Sequence, residues 1–425
     1  MSFPASPTSG QTTTTNGIIY QYNSTLTAWL RVVNLVYTAT SMTLVGTAVS
    51  TSTTTGALVV AGGAGVGGNL NVGGTISTPN TFGFKNRIIN GAMVIDQRFS
   101  GTTATNTYTG YVVDRWNVVQ SITGKLTSQQ NAGSVTPPAG FTNYLGVVSQ
   151  SAYSVLSTDY YIIQQPIEAA NISDLAYGTA GAKTTTLSFW VYSSLTGTFG
   201  GSLLNSNATR SYPFSYTVSN ANTWTQISIT VSGDTSGSVG AGNIAGLTIR
   251  FCLGGGTSQL GGTANTWNSS GILAPTGSTS VVGTSGATFY ITGVQFEVGS
   301  QATSFDVRDY GRELMMCQRY FLSAYNVTGV WGGTAVQGMF NVPVSMRTTP
   351  TITLNGNLNW ADTINPGFPA TSFGFGLSTP TNVASSNVTW WFGANGSSSL
   401  TQYRVYFLSN YPSGPAYPLL ISAEL

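Results

Sequence analysis

The 425-residue chain contains no histidine and carries little charge. Without an imidazole it lacks the commonest general base and metal ligand, which excludes a serine–histidine hydrolase. Charged residues make up 6% of the chain, against about a quarter in ordinary soluble domains. The 14 basic and 12 acidic residues leave a net charge of +2, too weak and too dispersed to grip nucleic acid. Only two cysteines occur, Cys252 and Cys317, so no disulfide framework exists. Each lies in an apolar context (RFCLG and LMMCQRYF) and reads as a buried free thiol. Good helix formers are scarce: the only lysines are Lys85, Lys125 and Lys183. No run approaches the ~20 apolar residues of a membrane span, so membrane insertion is not expected. The opening MSFPASPTSG has neither a basic nor an apolar region and does not read as a secretory signal.

What is present points one way. Thr, Val, Tyr, Phe and Trp favour strands, while 52 glycines and many Ser and Asn favour turns. The fold class is therefore all-β. Residues 1–48 read as a small N-terminal module, with Tyr22 and Trp29 anchoring two short strands around an Asn-Ser-Thr turn. Residues 49–80 (VSTSTTTGALVVAGGAGVGGNLNVGGTIST) alternate with period two. Leu58, Val60, Val66, Leu70, Val72 and Ile76 share one face with glycines and Ala64. A lone ribbon of such small side chains does not offset its ordering entropy, but several identical ribbons around an axis would bury that face. The stretch is thus expected to be a trimerisation shaft; the competing reading is a flexible linker. Gly63, Gly65 and Gly68 fit G-x-G-x-x-G, but no helix follows and the next acid is Asp96, which argues against a nucleotide site.

Residues 81–305 show recurrent strands split by turn clusters such as SGDTSGS, the pattern of a jelly-roll sandwich. Trp190, Trp224 and Phe251 lie in these strands and are expected in the core. Residues 306–322 change character. Seven charges cluster from Glu297 to Arg319: Glu297, Asp306, Arg308, Asp309, Arg312, Glu313 and Arg319. Leu314, Cys317 and Phe321 recur on one helical face, and Asp309 is a plausible N-cap, so this is a helical connector held by ion pairs. Residues 323–425 are again strand-rich and aromatic, a smaller C-terminal β domain.

Several segments together resemble one family. NRIINGAMVIDQRFSG (86–101) followed by YVVDRW (111–116), and ITGVQFEVGSQATSFDVRDYGRELMMCQRYF (291–321), resemble hallmarks of bacteriophage tail-fibre and receptor-binding proteins. FPASPTSGQ and the glycine-rich shaft are similar to fibres of cyanobacterial and marine phages. The resemblance implies a jelly roll related to carbohydrate-binding modules, a homotrimer, and an N-terminus that attaches to another virion tail protein. It also implies a distal end that meets a host-surface glycan or protein. The expected location is the virion tail, after assembly in the host cytoplasm. A head or neck decoration fibre and a polysaccharide-degrading tailspike are the alternatives.

The chemistry favours a non-enzyme without cofactor or metal. A glycosidase needs two carboxylates about 5–10 Å apart. Asp96 and Asp114 lie beside Arg98 and Arg115 and read as structural pairs. A calcium site in 232–238 would rest on Asp234 alone. Sugar binding needs aromatic platforms on accessible segments. The candidates are Trp331, Trp360, Phe368, Tyr411 and Tyr417 in the C-terminal region.

Overall fold

Alternation along the chain sets the layers. The computed structural model describes residues 3–16, 18–31, 58–60, 84–324, 328–331, 336–354, 359–361, 368–369, 372–374, 389–395, 405–409 and 419–425. The chain divides into two units, Met1–Thr75 and Ile76–Leu425. In the first, β1 (Thr12–Thr15), β2 (Ile18–Asn23) and β3 (Ala28–Arg31) form an antiparallel sheet in sequence order. The Asn23 side chain accepts the N–H groups of Thr25 and Leu26, each at 3.0 Å, and so makes the turn between β2 and β3. Trp29 stacks on Phe3 at 5.4 Å and meets Tyr22 at 5.5 Å, so both expected anchors sit in one aromatic cluster. The TTTT segment, which sequence leaves as extended chain, is the edge strand β1. Of the shaft face, only Leu58 and Val60 fall on described residues. They are 63% and 48% exposed, and Val59 between them is 47% exposed. Val66, Leu70, Val72 and Ile76 lie outside the described residues.

In the second unit two antiparallel sheets face each other. Their strands are β4 (Gly110–Val113), β5 (Trp116–Gln120), β6 (Leu126–Gln130), β7 (Leu145–Ser149), β8 (Tyr160–Glu168), β9 (Thr185–Ser193), β10 (Gly197–Asn205), β11 (Ser211–Val218), β12 (Thr225–Val231), β13 (Ala245–Gly255) and β14 (Thr288–Val298). One sheet runs β11-β10-β13-β8-β5-β4 and the other β12-β9-β14-β7-β6. Between them lies a core of Trp116, Phe189, Phe214, Phe251, Phe289 and their aliphatic neighbours. Phe189 and Phe251 meet across the layers at 4.9 Å, edge to face. Phe251 is core, as expected. Trp190 and Trp224 are not. Phe189 and Val191 point inward and are fully buried, so Trp190 between them projects from the opposite face. Trp224 precedes β12 and lies half-buried on that same outer face.

The connector contains a shorter helix than 306–322, α1 (Tyr310–Gln318). Asp309 caps it by accepting the Arg312 N–H at 2.9 Å. Cys317 is buried with Ile89, Ile95 and Tyr320, and Leu314 packs against them. Phe321 does not extend that helical face. It opens the next strand, because the helix has already ended at the Arg319 cap.

Beyond it come β15 (Phe321–Ala324), β16 (Thr328–Trp331), β17 (Val336–Asn341), β18 (Thr351–Leu354), β19 (Asn359–Ala361), β20 (Phe368–Pro369), β21 (Ser372–Gly374), β22 (Thr389–Asn395), β23 (Val405–Ser409) and β24 (Leu419–Ser422). They form a three-stranded sheet, β15-β24-β18, and a seven-stranded one, β20-β19-β23-β16-β17-β22-β21. Beyond β24, Leu425 packs against the Cys317–Tyr320 cluster. Among the described residues no helix is long and apolar enough to cross a membrane.

Candidate functional site

Of the expected sugar-binding aromatics, Trp331, Trp360 and Phe368 lie in strands of the seven-stranded sheet. Register sets Trp360 directly opposite Phe368 on β20 and opposite Leu408 on β23. Trp331 on β16, two strands from β19, pairs with Val336 on the adjacent β17. Tyr411 and Tyr417 lie outside the described residues. The fold thus makes Trp360 and Phe368 neighbours.

A more complete site lies elsewhere, on the outer face of the five-stranded sheet. Two adjoining clefts, each about 240 Å³, share Gly140, Phe141, Phe305 and Val307. Together they fall in the range of small-ligand sites, about 300–1,000 Å³. Phe141 and Phe305 meet edge to face at 5.1 Å and form the ridge between them. One cleft holds Trp190 and Ser188 of β9, Gln226 of β12, and Thr303 and Ser304. The other is lined by Asn86, Asp306, Arg308 and Glu313.

Both walls are fixed by side chains of the sheet itself. The wall over 132–143 rests on four aromatics. Tyr290 stacks on Tyr192 at 5.3 Å and on Tyr144 at 5.1 Å, and Trp224 closes the group at 5.5 Å from both Tyr144 and Tyr192. Tyr144 donates its hydroxyl to the Ala132 carbonyl at 2.5 Å and accepts the Val135 N–H at 2.8 Å. Trp224 donates its indole N–H to the Thr136 carbonyl at 2.9 Å. Burial pushes the Tyr144 and Tyr290 phenols above their ordinary range, so both remain protonated. The wall over 299–307 hangs from β14. Glu297 accepts the Thr303 N–H at 2.9 Å and its hydroxyl at 2.7 Å, and Gln295 accepts the Asp306 N–H at 2.8 Å.

Between these walls two polar side chains remain unspent. Trp116, Trp224 and Trp267 each donate their indole N–H to a carbonyl. Among the described residues Trp190 has no such partner, nor does the exposed Gln226 amide. Gly293, at φ +62°, brings the backbone against Trp190; a Cβ there would come 3.0 Å from the indole and 2.6 Å from Phe141. A half-buried indole beside a free amide and the Ser188 and Ser304 hydroxyls is the chemistry that stacks on a sugar ring and bonds its hydroxyls.

Among the described residues the carboxylates are spent on the frame. Asp114 pairs with Arg98 at 3.3 Å, as the sequence suggests, whereas Arg115 pairs with Glu424 instead. Asp96 pairs with neither arginine and accepts the Phe99 and Gly101 N–H groups at 2.9 and 2.7 Å. Arg308 bridges Asp306 and Glu313, but Arg319 binds Glu168 at 2.7 Å, so the connector's ion pairs reach into the sandwich. Asp234 is clamped by Arg210 through contacts of 2.8–3.1 Å, which opposes a calcium role for 232–238. Among the described residues no cluster of metal-ligating side chains occurs. Both thiols are fully buried; burial pushes Cys252 up to about 12 and Cys317 well above its ordinary value.

No family model and no curated protein matches the chain. Among solved structures, a putative sugar-binding protein from Bacteroides thetaiotaomicron is 13% identical with a TM-score of 0.30, covering 51% of this chain and 100% of its own. The enzymatically active domain of bacteriophage CBA120 tailspike protein 4 is 12% identical with a TM-score of 0.29, covering 50% of this chain. The match spans 21% of that tailspike chain. A family 11 carbohydrate-binding module from Clostridium thermocellum, in complex with a β-1,3-1,4-mixed-linked tetrasaccharide, is 12% identical with a TM-score of 0.24 over 49% of this chain and 100% of its own. At these identities and TM-scores the likenesses carry no functional weight.

Proposed function

We propose that the protein is a non-catalytic, glycan-binding adhesion subunit, a homotrimeric fibre of a bacteriophage tail that contacts the host surface. The observation that carries the binding half is the cleft around Trp190. Among the described residues its indole and the Gln226 amide have no hydrogen-bond partner, and they lie between two walls held in place by Tyr144 and Glu297. A preorganised site of this kind loses little entropy on binding. The non-catalytic half is supported by the carboxylates of the described residues, which are engaged by arginines, amides or hydroxyls of the frame. The virion half rests on the 86–101 and 291–321 segments and their resemblance to tail-fibre proteins. Its N-terminal module would dock on another tail protein and its location would be the virion.

The test is competition. Purified chain added to a phage carrying it should block adsorption to host cells, and Trp190→Ala chain should not. Unimpeded adsorption with the wild-type chain would favour a decoration fibre instead. Reducing-sugar release from host envelope would restore the tailspike reading.

A further inference from the structure

The outer face of the other sheet carries a polar row that the fold leaves partly unused. Register sets Asn117 of β5 opposite Gln164 of β8, Gln164 opposite Arg250 of β13, and Arg250 opposite Ser202 of β10. Residues paired this way share a face, with Cβ atoms about 4.5–5.5 Å apart. Their sequence neighbours Val118, Ile163 and Phe251 fill the core on the opposite face.

Arg250 is only 8% exposed, yet no carboxylate among the described residues pairs with it. Its Nε donates to the Ser202 hydroxyl at 3.0 Å and its Nη2 to the Ile272 carbonyl at 2.6 Å. Nη1 has no partner among the described residues. Burial lowers its pKa to about 10, which leaves it cationic at neutral pH. The neighbouring Cys252 thiol is neutral there and does not balance the charge. Buried cations are almost always paired with an acid. Beside this one, the Asn117 side-chain oxygen is buried without a partner, and the Gln164 amide makes no hydrogen bond among the described residues. A guanidinium that served only to pin the 271–272 carbonyls would not account for two idle amides next to it.

We propose that Arg250, Gln164 and Asn117 form a second ligand site, which takes the carboxylate of an acidic sugar. The planar guanidinium presents Nη1 to a carboxylate, as arginine does in carboxylate recognition generally. The two amides donate to and accept from the ring hydroxyls beside it. The site lies on the opposite sheet from Trp190 and does not depend on the reading of that cleft.

The experiment is calorimetric titration of the full chain with trigalacturonate, and with neutral galactotriose as control. Trigalacturonate should bind, more weakly as salt rises. Arg250→Met should weaken it at least tenfold. Because Arg250→Met also loosens the 271–272 loop, Gln164→Glu is the decisive variant. It supplies the missing carboxylate from within, so it should keep or raise Tm while abolishing trigalacturonate binding. No binding to the folded wild-type chain at millimolar ligand would overturn the proposal and leave Arg250 a loop clamp. Binding that survives Gln164→Glu would overturn it too, by placing the ligand elsewhere.

Discussion

The side-chain oxygen of Asn86 accepts the backbone N–H of Phe296 at 3.0 Å, joining two segments 210 residues apart. The same oxygen accepts the Ile88 N–H at 3.0 Å, and the amide donates to the Val294 carbonyl at 3.1 Å. Gly91 lies so close to the Val294 carbonyl that a Cβ would come within 2.2 Å of it. From the other side Arg308 donates to the Asn86 and Ile88 carbonyls. The 86–101 and 291–321 segments therefore hold each other across the fold.

Asn86 is 1% exposed, so Asn86→Ala would strand buried backbone groups at both ends of this joint. The expected loss is about 2–3 kcal/mol of stability, read as a lower denaturant midpoint at unchanged slope. A midpoint equal to wild type would show that the joint is redundant.

The last residues form a second long-range joint. Glu424 pairs with Arg98 at 3.0 Å and with Arg115, which is 1% exposed and lies over the Tyr320 ring. Glu424→Ala leaves that guanidinium buried without its acid, and the expected cost is about 3–5 kcal/mol. Limited proteolysis at the connector should become faster in the same variant.

Asp114 gives the molecule an unusual pH dependence. Full burial raises its pKa to about 7, only partly opposed by Arg98 and Gln97. The folded state then holds a proton that the unfolded chain releases near pH 4. This group's stabilisation is therefore complete at low pH and is lost as pH rises toward 7. Glu168, held low by Arg319 and Tyr320, acts in the opposite sense, and its contribution fades only as pH falls below the usual carboxylate range. Wild-type Tm should decline between pH 5 and pH 8, and Asp114→Asn should flatten that slope. An equal slope in both proteins would remove Asp114 from the explanation.

Much of the frame was legible in the sequence because it rests on local rules. Alternation gives the strands, and Asp309 ahead of the Leu314 and Cys317 face gives the helix start. What was missed has two causes. A strand position alone points Trp190 to the core, but Phe189 and Val191 on either side assign it to the other face by period two. The partner of Arg115 was not readable: Asp114 is adjacent in sequence, but the acid that reaches it, Glu424, is 309 residues away. No local pattern encodes such a contact.

The shaft reading has its own test. Replacing Leu58, Val60, Leu70 and Val72 together with Asp should convert a trimer into monomers, as light scattering on a sizing column would show. A trimer that survives these four charges would mean that the assembly is held elsewhere.

The central claim is that Trp190 is the sugar platform. The most direct measurement screens the full chain on a glycan array and then titrates the best ligand by calorimetry against wild type and Trp190→Ala. The account predicts saturable binding by the wild type, at least a tenfold loss in Trp190→Ala, and Tm values within about 2 °C of each other, since truncating a half-exposed side chain leaves the core intact. Equal affinity in the two proteins would contradict it.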